Sequence, residues 1–175
     1  MANSCKSAAV LVSYNYRIIR AAYDNGKHVS TDFQIVDDVL NFDVDGEYSG
    51  GTKKKTGKGT LTDLRSGVVT APVLYAARLY PDELNPPIEH KFKEEGDVEL
   101  VVKYLRRSDG ILRTRDLARV HADLAVRAAF ELGSSGGVGG NDGVSDEEEE
   151  GGKLKSCRYR DSLIHLAYSV VDQVG

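Results

Sequence analysis

Apolar side chains recur every three or four positions along most of this chain, which is the spacing of amphipathic helices. Residues 4–24 carry such a stripe, and DNG at 24–26 is a helix stop signal, so we predict one helix there and a second from about 26 to 42. A third helix is predicted over 60–79, with Pro72 at a kink or a break. No stretch alternates apolar and polar side chains as a half-buried strand would.

The second half of the chain continues the helical pattern. Residues 96–107 are amphipathic, with acids near the start and arginines near the end, as the helix dipole favours. A long amphipathic helix is predicted over 111–132 and a final one over about 156–173. Three prolines predict a turn after the third helix: Pro81, Pro86 and Pro87. The fold class is therefore predicted to be all-α.

Two segments break this periodicity and are rich in glycine and polar residues. Residues 44–56 read VDGEYSGGTKKKT, which predicts a flexible loop. Residues 133–153 read GSSGGVGGNDGVSDEEEEGGK, a low-complexity composition that predicts a disordered acidic insertion. The remaining helices are expected to form a single, partial domain over 1–175.

The composition limits which binding partners and which cellular compartment are expected. The net charge is −4, and without the five acids of SDEEEE at 145–150 it is +1, so the balance argues against nucleic acid as the main partner. Two cysteines form neither a disulfide framework nor a metal cluster, which favours a reduced, intracellular compartment. No apolar run is long enough for a transmembrane segment, and we expect none.

Two adjacent carboxylates lie inside the apolar run QIVDDVLNFD at 34–43. On a helical wheel of roughly 100° per residue, the polar side chains share one face: Gln34, Asp37, Asp38 and Asn41. Hard oxygen ligands on adjacent turns suit Mg²⁺. Lys58, between two glycines, can approach a diphosphate closely. The alternative is a solvated aspartate pair on a helix surface.

The order of these residues resembles the second aspartate-rich region of trans-type isoprenyl diphosphate synthases, most closely the long-chain polyprenyl (solanesyl- or decaprenyl-type) branch. That family pattern is Q-x-x-D-D-x-x-D followed by G-K-G-S-x-x-D-x-x-x-G-x-x-T-x-P. The matching residues are Gln34, Asp37, Asp38, Gly57, Lys58, Gly59, Asp63, Gly67, Thr70 and Pro72. The resemblance continues through ANSCK at 2–6 and through 90–125.

The resemblance implies the C-terminal half of an isoprenoid-synthase-type helical bundle and a prenyltransferase function. Such transferases join an allylic diphosphate to isopentenyl diphosphate in isoprenoid biosynthesis, including ubiquinone side chains, with Mg²⁺ holding the leaving diphosphate. Carried over by motif, Asp37 and Asp38 are expected to ligate magnesium, Lys58 to pair with the diphosphate, and Gln34 to hydrogen-bond near the reacting end. A homo- or heterodimer in mitochondria or plastids is implied as well.

The sequence departs from the family at three points, one of which is a loop at 44–56 that is longer than the family norm. Asn41 stands where the family has its third aspartate, and a neutral amide is a weaker Mg²⁺ ligand than a carboxylate. The family's first aspartate-rich motif precedes the region that these 175 residues match. We therefore expect a truncated form that is inactive by itself. It is either a naturally short protein or the product of a truncated gene model. The alternative is a non-catalytic partner subunit of a heteromeric prenyl synthase.

Overall fold

The computed structural model describes residues 1–12, 15–42, 61–134 and 160–174, and its regular elements in those ranges are all helices. This confirms the all-α prediction. The helices are α1 (Ala2–Val12), α2 (Tyr16–Leu40), α3 (Thr62–Arg65), α4 (Ala71–Leu79), α5 (Pro81–Glu89), α6 (Asp97–Arg107), α7 (Gly110–Ser134) and α8 (160–171), followed by a short 3₁₀ turn at Asp172–Val174. No helix among them is both long enough and apolar enough to cross a membrane.

The first helix boundary was predicted at the wrong place. α2 runs without a break through DNG, and the chain leaves α1 after Val12 instead. Asn15 marks the start of α2, because its side-chain oxygen accepts a hydrogen bond from the Arg17 backbone N–H at 2.9 Å. Gly26 has another purpose: a Cβ there would lie 2.6 Å from the sulfur of Cys5, so this glycine allows α1 to pack closely against α2.

The break predicted at Pro72 is present, whereas the turn predicted at the later prolines is not. The third predicted helix is two helices, α3 and α4, and Pro72 lies in the first turn of α4, where a missing N–H is tolerated. Pro81 begins α5, and Pro86 lies inside that helix. The predicted turn is therefore wrong: Leu84 is fully buried, and packing of α5 outweighs the low helix propensity of its prolines.

The described helices divide into two compact units. The first unit comprises 1–32 and 120–170, and the second comprises 33–119 and 171–175, so α2 and α7 each contribute to both. The first core is built from small and β-branched side chains of α2, α7 and α8: Val29, Ala125, Val126, Ile164 and Ala167. The second unit buries large aliphatic side chains of α3 to α6: Leu64, Val73, Leu84, Val101 and Leu105. Burial of such apolar area is the main favourable term in folding each unit.

Two long segments lie outside the described residues, at 43–60 and 135–159, in addition to residues 13–14 and 175. The predicted loop at 44–56 falls wholly within the first of these segments. The predicted acidic insertion falls within the second except at residues 133 and 134, which end α7. Both remain predictions.

Candidate metal and diphosphate site

The last two turns of α2 separate apolar from polar side chains as the helical wheel predicts. Val36 and Val39 are buried, at 2% and 0% exposure. On the other side, Asp37 and Asp38 are half-buried and Gln34 is exposed. All of these residues belong to the second unit. The apolar arc therefore fixes the helix in the core and leaves its acidic face accessible.

Asp38 is held by the start of α4. Its Oδ2 accepts a hydrogen bond from the Ala71 backbone N–H at 3.2 Å. Burial raises the pKa of Asp38, the Ala71 N–H opposes that shift, and the nearby charges of Asp63 and Asp37 raise the pKa further. A cation beside Asp38 would offset the effect of burial and of these two neighbouring charges, and would therefore be stabilising.

Asn41 connects α2 to α3. It is 9% exposed, and its Nδ2 donates a hydrogen bond to Oδ2 of Asp63. Sequence reasoning placed Asp63 in the family pattern and gave it no role. The only sequence signal was its place in that pattern, 22 residues after Asn41. The structure adds Asp63 to the acidic face.

The possible metal ligands on this face are oxygen atoms of carboxylates and side-chain amides. Such hard ligands suit Mg²⁺, which usually retains several waters and is completed by substrate phosphates. The hydroxyl of Thr70, one residue before Ala71, is buried and has no hydrogen-bond partner within the described ranges. The residues present therefore fit a magnesium ion. Lys58, predicted to pair with the diphosphate, lies outside the described residues.

A second group of metal-binding side chains lies at the turn between α5 and α6. Ligand atoms of His90, Glu94 and Asp97 lie within 4.8 Å of one another, and among the described residues they alone form such a group. His90 Nδ1 is 3.3 Å from Glu94 Oε1, and Asp97 accepts a hydrogen bond from the Glu94 backbone N–H at 3.0 Å. These contacts join the three residues within one turn, which explains why their side chains lie close together.

Comparison with known proteins identifies the family. The family model described as polyprenyl synthetase matches residues 1–105, which is more than half of the chain. The chain belongs to this family. The resemblance seen in the aspartate-rich region is thereby confirmed.

Curated relatives of this chain are named as solanesyl- and decaprenyl-diphosphate synthases. It is 39% identical over 135 residues to the mitochondrial solanesyl-diphosphate synthase 1 of Oryza sativa subsp. japonica, covering 77% of this chain and 30% of the relative. It is 39% identical over 133 residues to the decaprenyl-diphosphate synthase of Dictyostelium discoideum, covering 76% and 27%.

A solved structure shares the fold. The apo form of an Arabidopsis medium/long-chain length prenyl pyrophosphate synthase superposes with a TM-score of 0.73 and 32% identity, covering 99% of this chain and 50% of that one. The chain therefore spans about a third of the length of the curated relatives that it matches, and half of this solved chain.

Proposed function

We propose that this chain carries the second aspartate-rich part of a polyprenyl diphosphate synthase active site. The observation that carries the proposal is the acidic face of α2, on which Asp37 and Asp38 lie beside Asp63 in a member of this family. The corresponding reaction joins an allylic diphosphate to isopentenyl diphosphate and extends a prenyl chain.

The family motif assigns a role to each residue of the proposed site. Asp37 and Asp38 would hold Mg²⁺, which when bound stabilises the negative charge of a departing diphosphate. Asp38 is oriented for this by the Ala71 N–H. Lys58 would add a positive charge to the diphosphate. Gln34, exposed one turn before Asp37, would donate a hydrogen bond near the reacting end.

The proposed activity needs more than these 175 residues. They contain one aspartate-rich helix, and a diphosphate gripped by metal ions from two sides needs two. We therefore expect the chain on its own to bind Mg²⁺ with a diphosphate and to form no polyprenyl product. Relatives named as mitochondrial, or as chloroplastic and mitochondrial, favour one of those locations and a role in quinone side-chain synthesis. Assembly as a homo- or heterodimer is part of the same proposal.

Calorimetric titration with inorganic pyrophosphate in the presence of Mg²⁺ tests the site. Asp37→Ala should weaken binding by about tenfold or more, since removing one charge contact is worth about 1.4 kcal/mol or more at short range. Asp116→Ala is the matched control, because this acid of α7 is 62% exposed and is not one of the proposed site residues. Equal binding by parent and Asp37→Ala would refute the site.

A separate assay tests whether the chain is inactive alone. The purified protein is incubated with an allylic diphosphate, isopentenyl diphosphate and Mg²⁺, and the extracted products are analysed by chain length. We expect none. Elongation in this assay would overturn the claim of inactivity and leave the metal site standing.

A further inference from the structure

The turn between α5 and α6 brings one imidazole and two carboxylates together. Ligand atoms of His90, Glu94 and Asp97 all lie within 4.8 Å of one another. One nitrogen donor and two oxygen donors form a mixed set that suits Zn²⁺ and similar transition-metal ions, whereas Mg²⁺ prefers oxygen ligands alone. The group is complete within residues 90–97, and all of these residues belong to the second unit.

The distance between two of these donors fits a shared metal ion. Nδ1 of His90 is 3.3 Å from Oε1 of Glu94. Zn–N and Zn–O bonds are about 2.0–2.2 Å long, so two ligands of a tetrahedral zinc ion lie roughly 3.4 Å apart. The side chains are 43% and 66% exposed, and an exposed pair of this kind contributes little to stability. A metal ion can therefore replace their direct contact at little cost.

Asp97 is the rigid member of the group. It is 8% exposed, and its Oδ2 accepts a hydrogen bond from the Glu94 backbone N–H at 3.0 Å. The turn is anchored by Phe92, which is 6% exposed and donates a backbone hydrogen bond to the Pro87 carbonyl at 2.9 Å. Lys91 and Phe92 both have a φ of 55°, a backbone conformation that the surrounding packing must hold in place. Ligands fixed in this way lose little conformational freedom when an ion binds.

We infer that His90, Glu94 and Asp97 form a binding site for a divalent transition-metal ion, of which Zn²⁺ is the best match. The ion joins the end of α5 to the start of α6, with water completing its coordination. The imidazole distinguishes this site from the acidic face of α2, whose possible ligands are oxygen atoms. The inference does not rest on the proposed function.

Calorimetric titration of the full 175-residue chain with Zn²⁺ tests the site. Pyrophosphate is left out, and Mg²⁺ in about hundredfold excess over the protein occupies sites made of oxygen ligands alone. We expect His90→Gln to weaken Zn²⁺ binding by about tenfold or more, because it removes the nitrogen ligand. Asp97→Asn should have a similar effect, because it removes a charged ligand but keeps an oxygen that can accept the Glu94 N–H.

The matched control is His165→Gln, which removes another exposed histidine and should bind Zn²⁺ like the parent. Melting temperatures without zinc should agree between the parent and His90→Gln, because His90 lies at an exposed position. Added Zn²⁺ should raise the melting temperature of the parent more than that of His90→Gln, since an ion that binds the folded state stabilises it according to its affinity.

Each outcome decides the inference. Weaker binding by His90→Gln and Asp97→Asn, with His165→Gln unchanged, supports it. No measurable binding by the parent, or equal affinity in the parent and His90→Gln, overturns it. A loss confined to His28→Gln would place the ion at the close contact between His28 and His121, which also overturns the inference.

Discussion

The ring nitrogens of His28 and His121 face each other, with Nδ1 to Nδ1 at 3.0 Å. His28 lies in α2 and His121 in α7, within the first unit. One ring must donate and the other accept, so the contact requires at least one neutral imidazole. Burial lowers the pKa of both rings; the charge of Lys27 lowers both further and His121 lowers that of His28, whereas Asp24 acts in the opposite direction on His28.

This pair should make the protein less stable in mild acid. An unfolded histidine binds its proton near pH 6.5, above the lowered pKa of the folded state, so stability rises with pH through this range and is lost as pH falls below about 6.5. We expect His121→Gln to reduce the slope between pH 7 and about 5, measured by urea unfolding. His165→Gln, at an exposed position of α8, is the control and should keep the parental slope. A parental slope in His121→Gln would contradict the prediction.

The buried carboxyl group of Asp32 should make the stability of the protein depend on pH in the opposite direction. It lies on the apolar arc of α2 with 0% exposure, and neither of its oxygens has a hydrogen-bond partner among the described residues. Burial raises its pKa from 3.8 to about 7. Between those values the folded protein keeps a proton that the unfolded chain has released, so stability falls as pH rises through this window, by at most about 4 kcal/mol.

Asp32→Asn removes this ionisation. Its free energy of unfolding should exceed that of the parent at pH 7.5 and approach it near pH 4, where the parental carboxyl is protonated in the folded state. Asp116→Asn changes an acid that is 62% exposed and serves as the control. Because each variant is compared with the parent, the histidine contribution cancels. A constant difference across the range would show that Asp32 is ionised when folded.

The fold class and the acidic face were predictable because both depend on local periodicity. The apolar arc of α2 at Val36 and Val39 is buried as its spacing predicts, and the opposite face carries Asp37 and Asp38. A three- to four-residue repeat specifies which side of a helix enters the core whatever the helix packs against. The sequence pattern alone was therefore sufficient to predict which side of α2 is buried.

Other features depend on partners that local sequence does not specify. Gly26 was interpreted as a helix stop because glycine has low helix propensity, but close packing of Cys5 requires it inside α2. The Asn41–Asp63 bond joins the residue that follows α2 to a residue of α3, so periodicity could not show it. Asp32 was not singled out, because nothing in the sequence distinguishes a buried carboxyl on an apolar arc from a surface one.

The two close-packed glycines should differ in their tolerance of alanine. A Cβ at Gly110 would lie 2.6 Å from the backbone oxygen of Pro72, which cannot rotate away, so Gly110→Ala should destabilise by about 2 kcal/mol or more. At Gly26 the nearest atom is the Cys5 sulfur, also at 2.6 Å, which can rotate, and alanine gains helix propensity of up to about 1 kcal/mol.

Chemical denaturation measures both effects. Gly26→Ala should cost less than Gly110→Ala, and adding Cys5→Ala should recover part of the loss at Gly26, because it removes the sulfur that the new methyl group meets. Equal losses at both glycines, with no recovery from Cys5→Ala, would show that the backbone contacts near Gly26 dominate.

Lys58 allows a test of the diphosphate contact against a neighbouring lysine of equal charge. Lys58 is flanked by Gly57 and Gly59, whereas Lys54 is the middle of three consecutive lysines. Alanine at either position removes one positive charge, so a general electrostatic attraction for pyrophosphate would weaken equally in both variants. A direct contact is specific to position, because the flanking glycines permit close approach of backbone and side chain to the anion.

We expect Lys58→Ala to weaken Mg²⁺-dependent pyrophosphate binding by about tenfold and Lys54→Ala by less than about twofold. Calorimetry at about 0.15 M salt, which screens distant charges, measures both. Equal losses in the two variants would assign the effect to net charge and exclude the contact.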